Sequence, residues 1–213
     1  LVISHFFYHT IFVHQNHILK MKLKLITLVL LSSFVLGNVA FAQTKLSAKS
    51  AKISLSGNST MHKWSSNVTK VAFSGDFGLN DGNLTKINSA VVKIETKSIK
   101  SHNDSDLMDE RTHKTLKAEQ FPNISYEYTN TLSSDLNGKE GTIKVNGKLT
   151  IAGVTKPTDL VLKVTTLANG DIQVKGSEVI LMTNFGIKPP SFVAGTLKVE
   201  DKVNIAFDVV LKK

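Results

Sequence analysis

Apolar and polar side chains alternate along most of the chain after Gln43, and this period of two is typical of β-strands. In the last such stretch, one face carries Val203, Ile205, Phe207, Val209 and Leu211, and the other carries Asn204, Asp208 and Lys212. The pattern predicts eight strands, at residues 52–56, 68–79, 84–99, 124–130, 142–151, 158–167, 172–182 and 202–212. Because each strand is apolar on one of its two faces, the pattern predicts a sheet with a single inward surface.

Short turns rich in Gly, Asn and Asp separate these segments, for example Asp81-Gly82-Asn83, Asn137-Gly138 and Asn169-Gly170-Asp171. Such turns connect consecutive antiparallel strands, which predicts an up-and-down order. A closed barrel of about eight strands just holds its own side chains or one small ligand. The fold class predicted is therefore all-β, a single antiparallel eight-stranded barrel.

One segment, residues 101–122, lacks the alternation and is polar. Asp104 or Ser105 is suited to cap a helix, and Pro122 marks the far boundary. We expect one short crossover helix near residues 104–118. Its thin apolar stripe consists of Leu107, Met108 and Leu116, so it should lie across an end or flank of the barrel.

The start of the chain has the layout of a secretory signal. Residues 21–42 combine a positively charged beginning, an apolar run at 25–36 and the small-x-small site Ala40-Phe41-Ala42. The run is shorter than the roughly 20 residues that span a bilayer. We expect cleavage near Ala42, a leader or untranslated segment at 1–20, a domain at 43–213, and a periplasmic or secreted location.

Charge and cysteine content narrow the class of protein. The 213 residues carry a formal net charge of +9 and no cysteine. Stability must therefore come from packing, because disulfides are excluded. The lysines are scattered singly along the strands, without an Arg-rich run or a patch mixing basic and aromatic residues, so no nucleic-acid partner is expected.

Several stretches resemble the YceI-like, polyisoprenoid-binding family of exported bacterial proteins. "GKLTIAGVTKP" is similar to a turn of that family, and "KSIKSHNDSDLMDERTHKTLKAEQFPNISY" is similar to its crossover. "GNSTMHKW" resembles an opening motif, and "TNFGI" followed by "KVEDKVNIAFDV" resembles the last two strands. Together these motifs cover nearly all of the chain after the signal, in the order of the family.

The resemblance implies a lipocalin-like periplasmic barrel that encloses a long isoprenoid chain and performs no catalysis. The guest would be a polyisoprenoid, a quinone or a polyprenyl phosphate; transient membrane contact and a homodimer are also open. The residues expected to line the apolar tail are Phe73, Phe77, Val92, Ile94, Ile124, Tyr126, Leu149, Leu162, Phe185 and Phe207. The residues expected at the mouth and head group are His62, Trp64, Arg111 and Lys114; the crossover has this single arginine where the family version has several.

Composition alone does not distinguish a cavity from a packed core, because the same apolar residues suit both. The competing hypothesis is a filled barrel that acts as an envelope or surface interaction module, with Trp64 plugging one end of the barrel. Only the resemblance favours a hollow interior.

Catalytic and metal-binding functions find little support in the sequence. Ser101, His102 and Asp104, or the neighbours Asp109 and Glu110, could be drawn into a hydrolytic site, but no nucleophile elbow or oxyanion hole accompanies them. The separations of His62, His102 and His113 match no zinc motif. No catalytic residue, cofactor or metal is therefore expected.

Overall fold

The computed structural model describes residues 43–212, so the leader and signal peptide expected at 1–42 lie outside the described residues. This part of the chain contains eleven β-strands and one α-helix. The strands are β1 (Gln43–Ser59), β2 (Lys63–Val68), β3 (Val71–Asn80), β4 (Asn83–Glu95), β5 (Ile99–Ser101), β6 (Asn123–Asn137), β7 (Glu140–Ile151), β8 (Val154–Thr166), β9 (Ile172–Leu181), β10 (Ser191–Phe192) and β11 (Leu197–Lys212). The helix is α1 (Asp106–Thr115). None of the helices in residues 43–212 has the length and apolar character needed to cross a membrane.

The eight long strands close into one antiparallel barrel. Around the barrel the order is β1, β3, β4, β6, β7, β8, β9 and β11, and β11 pairs with β1 to complete the circle. Each neighbour in this order follows the previous long strand in sequence, so the predicted up-and-down barrel of eight strands is confirmed. The short strands β2, β5 and β10 are additions, paired with β1, β2 and β11 respectively.

Two of the predicted strands are interrupted. The segment predicted at 68–79 divides at Thr69, whose backbone N–H and hydroxyl both donate to the carbonyl of Ser98 at 3.0 Å. The segment predicted at 84–99 ends in a 3-10 turn at Thr96–Ser98. There, Thr96 donates its N–H to the carbonyl of Pro122 and its hydroxyl to that of Phe121. Both interruptions satisfy long-range hydrogen bonds that a pattern of apolar residues does not show.

The helix forms where the sequence predicts it. Ser105 caps its start, since the Ser105 hydroxyl accepts a hydrogen bond from the N–H of Met108 at 3.4 Å. Leu107, one of the three residues of the predicted apolar stripe, is 55% exposed. The helix lies against β5, and the side chains of Met108 and Leu116 turn toward the barrel interior.

Buried apolar side chains form two large clusters in the barrel and a small one of Ile53, Val68 and Ile99. One cluster consists of Leu46, Phe77, Leu84, Ile87, Ile143, Val145, Val164, Ile172 and Leu211. The second consists of Leu149, Ile151, Ala152, Met182, Phe185, Ile187 and Val203. Because side chains from both clusters border the same internal space, the interior is hollow between them.

Candidate ligand-binding site

The barrel encloses an apolar cavity of about 320 Å³. All eight long strands and α1 contribute to its wall. The volume lies within the range of small-molecule binding pockets, roughly 300–1,000 Å³. Apart from tryptophan and tyrosine, the polar residues in the wall are Ser65, Ser66, Arg111, Thr112, Thr115 and Glu178. A cavity with this wall favours an apolar guest with few polar groups, because burying an unpaired polar group is costly.

Glycines beside the aromatic residues explain why the interior stays open. The rings of Trp64, Tyr126 and Phe207 lie where a Cβ atom at Gly57, Gly147 and Gly176 would be. Each glycine lies on the strand next to its aromatic partner. Because each ring occupies the space left by a missing side chain on the neighbouring strand, less of it extends into the centre of the barrel.

Nine of the ten residues predicted to line an apolar tail border the cavity. They are Phe73, Phe77, Val92, Ile94, Ile124, Tyr126, Leu149, Leu162 and Phe207. Phe185 does not border it: this residue ends a 3-10 turn and is buried beside Met182 and Ile187 in the second cluster. That the nine wall residues contact a ligand stays a prediction.

The four residues expected at the mouth separate into two pairs. Trp64 and Arg111 border the cavity, whereas His62 and Lys114 are exposed and lie outside its wall. The indole N–H of Trp64 donates to the carbonyl of Asn58 at 3.3 Å, which fixes the ring over Gly57. A head-group contact at His62 or Lys114 would need a ligand that reaches beyond the cavity.

Arg111 brings a positive charge to the apolar wall. Its guanidinium carbon lies 4.1 Å from the centre of the Phe192 ring, a cation–π arrangement. Within residues 43–212, no carboxylate lies within ion-pair distance of Arg111. A guanidinium offers several N–H donors in a planar fork, so Arg111 is suited to an anionic or carbonyl head group.

Glu178 and Tyr126 are the other notable polar groups of the wall. Burial raises the pKa of Tyr126 to about 12, with further contributions from Asp159 and Glu178. The Tyr126 phenol therefore stays neutral and donates to the carbonyl of Thr158 at 3.2 Å. Glu178 stands at an inward position of β9, between the wall residues Val174 and Ile180.

A buried carboxylate attaches α1 to the barrel. Asp109 accepts a hydrogen bond of 2.6 Å from the N–H of Ser101 and an ion pair of 3.0 Å from Lys100. Burial by itself would raise the pKa of Asp109, but the hydrogen bonds from Ser101 and Lys100 outweigh it and hold the pKa below its usual value. A ring nitrogen of His113 lies 2.9 Å from the carbonyl of Ile99. These residues, considered above for hydrolysis or zinc, bind α1 to β5.

Residues 43–212 contain no group of three or more His, Asp or Glu side chains arranged to hold a metal ion. The catalytic candidates Ser101 and Asp109 contact each other through the Ser101 backbone N–H. The Ser101 hydroxyl donates to the carbonyl of Ser105 at 3.3 Å and accepts from the Ser105 N–H at 2.8 Å. Both side chains therefore have structural partners next to the helix.

Sequence reasoning missed part of the cavity wall. Glu178 shares the parity of Ile172, Val174 and Ile180, so its inward position was readable from the alternation in β9. Thr112 and Thr115 of α1 gave no such signal, because a polar helix stripe does not indicate a cavity. Phe192 lies in the irregular connection after Pro190, where periodicity gives no information.

Solved structures share this fold at low sequence identity. A polyisoprenoid binding domain from Saccharophagus degradans, implicated in plant cell wall breakdown, has a TM-score of 0.60 at 14% identity, covering 80% of this chain and 99% of that one. BcnA of Burkholderia cenocepacia has a TM-score of 0.59 at 16% identity, covering 75% and 95%. The YceI protein of Campylobacter jejuni has a TM-score of 0.54 at 20% identity, covering 70% and 84%.

A search of the curated proteins gave no match. The family model described as the YceI-like domain matches residues 41–211, which is most of the chain and covers all eight barrel strands except the last residue of β11. The chain therefore belongs to the YceI-like family.

Proposed function

We propose that this protein is an exported, non-catalytic carrier that holds a long-chain isoprenoid lipid inside its barrel. The observation that carries the proposal is the apolar cavity of about 320 Å³, bordered by both apolar clusters. The name of the Saccharophagus degradans relative, a polyisoprenoid binding domain, agrees with it. The competing filled barrel requires packed side chains where this cavity lies.

The tail of the lipid would lie along the cavity wall. The hydrophobic effect favours transferring a hydrocarbon from water to such a wall by about 0.8 kcal/mol for each buried CH₂ group. This attraction needs no specific polar contact, so guests with related tails and different head groups would compete for one site. A polyprenol, a polyprenyl phosphate and a quinone all belong to this class.

Arg111 is the group we assign to the head of the ligand. It borders the cavity, and among the described residues its partner is the Phe192 ring, which leaves its N–H donors available. A phosphate or a quinone carbonyl accepts such donors, and a phosphate also neutralises the charge. We therefore expect a polyprenyl phosphate to bind more tightly than the polyprenol with the same tail.

Export is part of the proposal. Residues 21–42 have the layout of a cleavable secretory signal, and a domain without cysteine folds in the periplasm or outside the cell without oxidation. An apolar lipid released into either compartment is insoluble, so a carrier there would shield it from water.

The first test is to identify the cargo. The protein would be purified from its native host without detergent, extracted with organic solvent and measured by mass spectrometry. We expect an isoprenoid lipid in the extract. Repeated extracts without any isoprenoid or fatty chain, together with no thermal shift on adding undecaprenol, would contradict the proposal.

A matched pair of variants tests the position of the tail. Val92 borders the cavity, whereas its neighbour Val91 faces the other side of the same strand and is absent from the cavity wall. Val92→Phe should weaken undecaprenol binding by tenfold or more, since overpacking costs about 1–3 kcal/mol. Val91→Phe should bind like the parent. Equal binding by both variants and the parent would place the tail elsewhere.

A further inference from the structure

The barrel wall is incompletely paired between β8 and β9. The ladder that joins them has four residue pairs, from Lys163 with Lys175 to Thr166 with Ile172. On their other sides, β8 pairs with β7 from Val154 to Thr165, and β9 pairs with β11 from Ile172 to Leu181. Residues 154–162 of β8 and 176–181 of β9 therefore border a slot in the wall.

The sequence of β8 accounts for the slot. Pro157 lies in the unpaired part of β8 and has no backbone N–H to donate. Pro157 has a register partner on β7, Lys148, and none on β9. Proline is confined to strand edges for this reason, so β8 is an edge there.

Cavity residues lie directly behind the slot. Leu160 and Leu162 of β8 and Glu178 and Ile180 of β9 are half-buried and border the cavity. A second unpaired stretch, between residues 83–90 of β4 and 128–137 of β6, also has cavity-lining residues behind it. Two of them, Leu84 and Ile87, are buried in the first cluster, whereas the four residues behind the slot are half-buried. The slot between β8 and β9 is thus the more accessible of the two.

The outer face around the slot is apolar and positively charged. Val161 is 54% exposed, Val179 51% and Leu181 37%, and all three lie on β8 or β9. Lys163 on β8, Lys148 on the neighbouring strand β7 and Lys202 on the neighbouring strand β11 are exposed on the same outer face. Among the described residues these three lysines form no ion pair.

The carboxylates nearest the slot form ion pairs: Asp159 pairs with Lys144 at 3.1 Å, and Asp208 pairs with Lys175 at 3.2 Å. Glu140 of β7 and Glu200 of β11 are exposed without an ion pair among the described residues, but they lie toward the strand ends. Around Val161 and Val179 the face therefore offers positive charge at Lys163 and Lys202. A bilayer with anionic lipids presents the complementary features, since apolar residues enter the interface while lysines attract the head groups.

We propose that the outer face of β8 and β9 with their neighbours, defined by Val161, Val179, Leu181, Lys148, Lys163 and Lys202, docks on an anionic lipid surface. We further infer that the slot is a side opening through which the cargo passes between that surface and the cavity. The docking stands independently, whereas the side opening rests on the proposed lipid-carrier function.

Docking is tested without any cargo. Protein would be mixed with vesicles of phosphatidylcholine alone, or with vesicles that also contain phosphatidylglycerol, and floated on a density gradient. We expect flotation with the anionic vesicles that is lost at high salt, because salt screens the lysines. Equal flotation with both vesicle types, or none with either, would overturn the docking proposal.

Variants locate the docking face. Val179→Asp and the double change Lys163→Gln with Lys202→Gln should each reduce flotation severalfold. The matched control is Lys86→Gln with Lys93→Gln on β4, which lies on the opposite side of the closed strand order and also has no ion pair among the described residues. An effect of the control equal to that of the test variants would show attraction by net charge alone.

An introduced disulfide tests the side opening. The pair Val161→Cys and Ser177→Cys continues the register of Lys163 with Lys175. It would cross the slot at the end nearest the paired part of β8 and β9. The chains are close there, since a Cβ at Gly176 would lie 2.8 Å from the carbonyl of Val161. The parent has no cysteine, so oxidation affects this pair alone. The control pair is Ala72→Cys with Lys93→Cys, joined across the paired strands β3 and β4.

The rate of undecaprenol transfer from anionic vesicles is the measurement. Oxidation of the slot pair should slow transfer at least severalfold, reduction should restore it, and oxidation of the control pair should leave it unchanged. Unchanged transfer after oxidation of the slot pair would overturn the side opening.

Binding of undecaprenol offered in detergent separates the side opening from the carrier function. If the parent protein does not bind undecaprenol under these conditions, the carrier function itself fails, and the flotation result still decides docking. Vesicle-independent dimers that are lost with Val179→Asp would assign the face to a second copy instead.

Discussion

At the scale of single residues, the hollow of the barrel depends on pairs of one glycine and one aromatic ring. The rings of Trp64 and Phe207 occupy the space that a side chain at Gly57 or Gly176 would take. A side chain added at either glycine must displace the ring, and the free space beside the ring is the cavity. A substitution at one of these glycines should therefore change the volume of the cavity.

Gly176→Ala is the sharpest test of this pairing. The new Cβ would overlap the Phe207 ring, and it would lie 2.8 Å from the carbonyl of Val161. We expect the ring to move into the cavity, with a loss of stability of about 1–3 kcal/mol and weaker binding of undecaprenol. Thermal unfolding and a binding titration measure the two effects.

The companion variant separates cavity loss from general damage. Phe207→Leu added to Gly176→Ala shortens the displaced side chain, so the double variant should recover binding relative to Gly176→Ala alone. Phe207→Leu by itself serves as the reference. If Gly176→Ala binds like the parent, the ring does not control access to the cavity.

The sequence predicted most of the inward residues correctly because strand periodicity fixes which face a side chain takes. Nine of ten predicted tail residues border the cavity for this reason. Phe185 was assigned by its apolar character alone, and the 3-10 turn that ends there turns it into the second cluster. Phe192 became part of the site through a connection that has no period at all.

At the scale of elements, α1 is held on the barrel by the buried Asp109 carboxylate. Asp109 is ionised in the folded protein and contacts the Ser101 N–H and the Lys100 ammonium. Its pKa in the folded protein lies below the value in the unfolded chain. The stabilisation is therefore fully present above the unfolded pKa and is lost as the pH falls through the folded pKa.

Asp109→Asn should loosen α1 at neutral pH. The amide oxygen still accepts from Ser101, but the charge that strengthens both contacts is gone, which costs on the order of 1–3 kcal/mol. Thermal unfolding would be measured from neutral pH down to below about 3.8, the model-peptide value for aspartate. The difference between parent and variant should shrink in the acidic range.

Glu110→Gln is the control for this element. Glu110 is the next residue of α1 and is exposed, so removing its charge should change stability by little at any pH. A loss equal to that of Asp109→Asn would mean that net charge on the helix, and not the buried contact, stabilises α1.

Element boundaries were less predictable than element types. The cap at Ser105 and the polar composition predicted the helix, and the turn residues predicted the strand order. The interruption at Thr69 was invisible, since residues on both sides of it keep the alternation and its cause is a hydrogen bond to Ser98. Long-range bonds of this kind leave no local pattern in a sequence.

At the scale of the whole molecule, a packed core and a cavity demand the same apolar residues. Alternation predicts which side chains point inward, but it does not give the distance between opposite walls. That distance follows from closure of eight strands and from the glycines that hold the rings against the wall. Only the resemblance to the YceI-like family indicated a hollow before the structure was known.

The limited volume of the cavity, about 320 Å³, leads to a prediction about the length of the guest. For a series of prenols from geraniol to undecaprenol, affinity should rise with each isoprene unit that enters the cavity. At about 0.3 kcal/mol per atom, a five-carbon unit adds about 1.5 kcal/mol, or roughly tenfold in affinity. The increase should stop once the cavity is full, because further units remain in water. Thermal shifts or titration calorimetry across the series would measure both the slope and the plateau. An affinity that is independent of tail length, or a series in which the shortest prenol binds best, would show that the barrel interior is not the site of the tail.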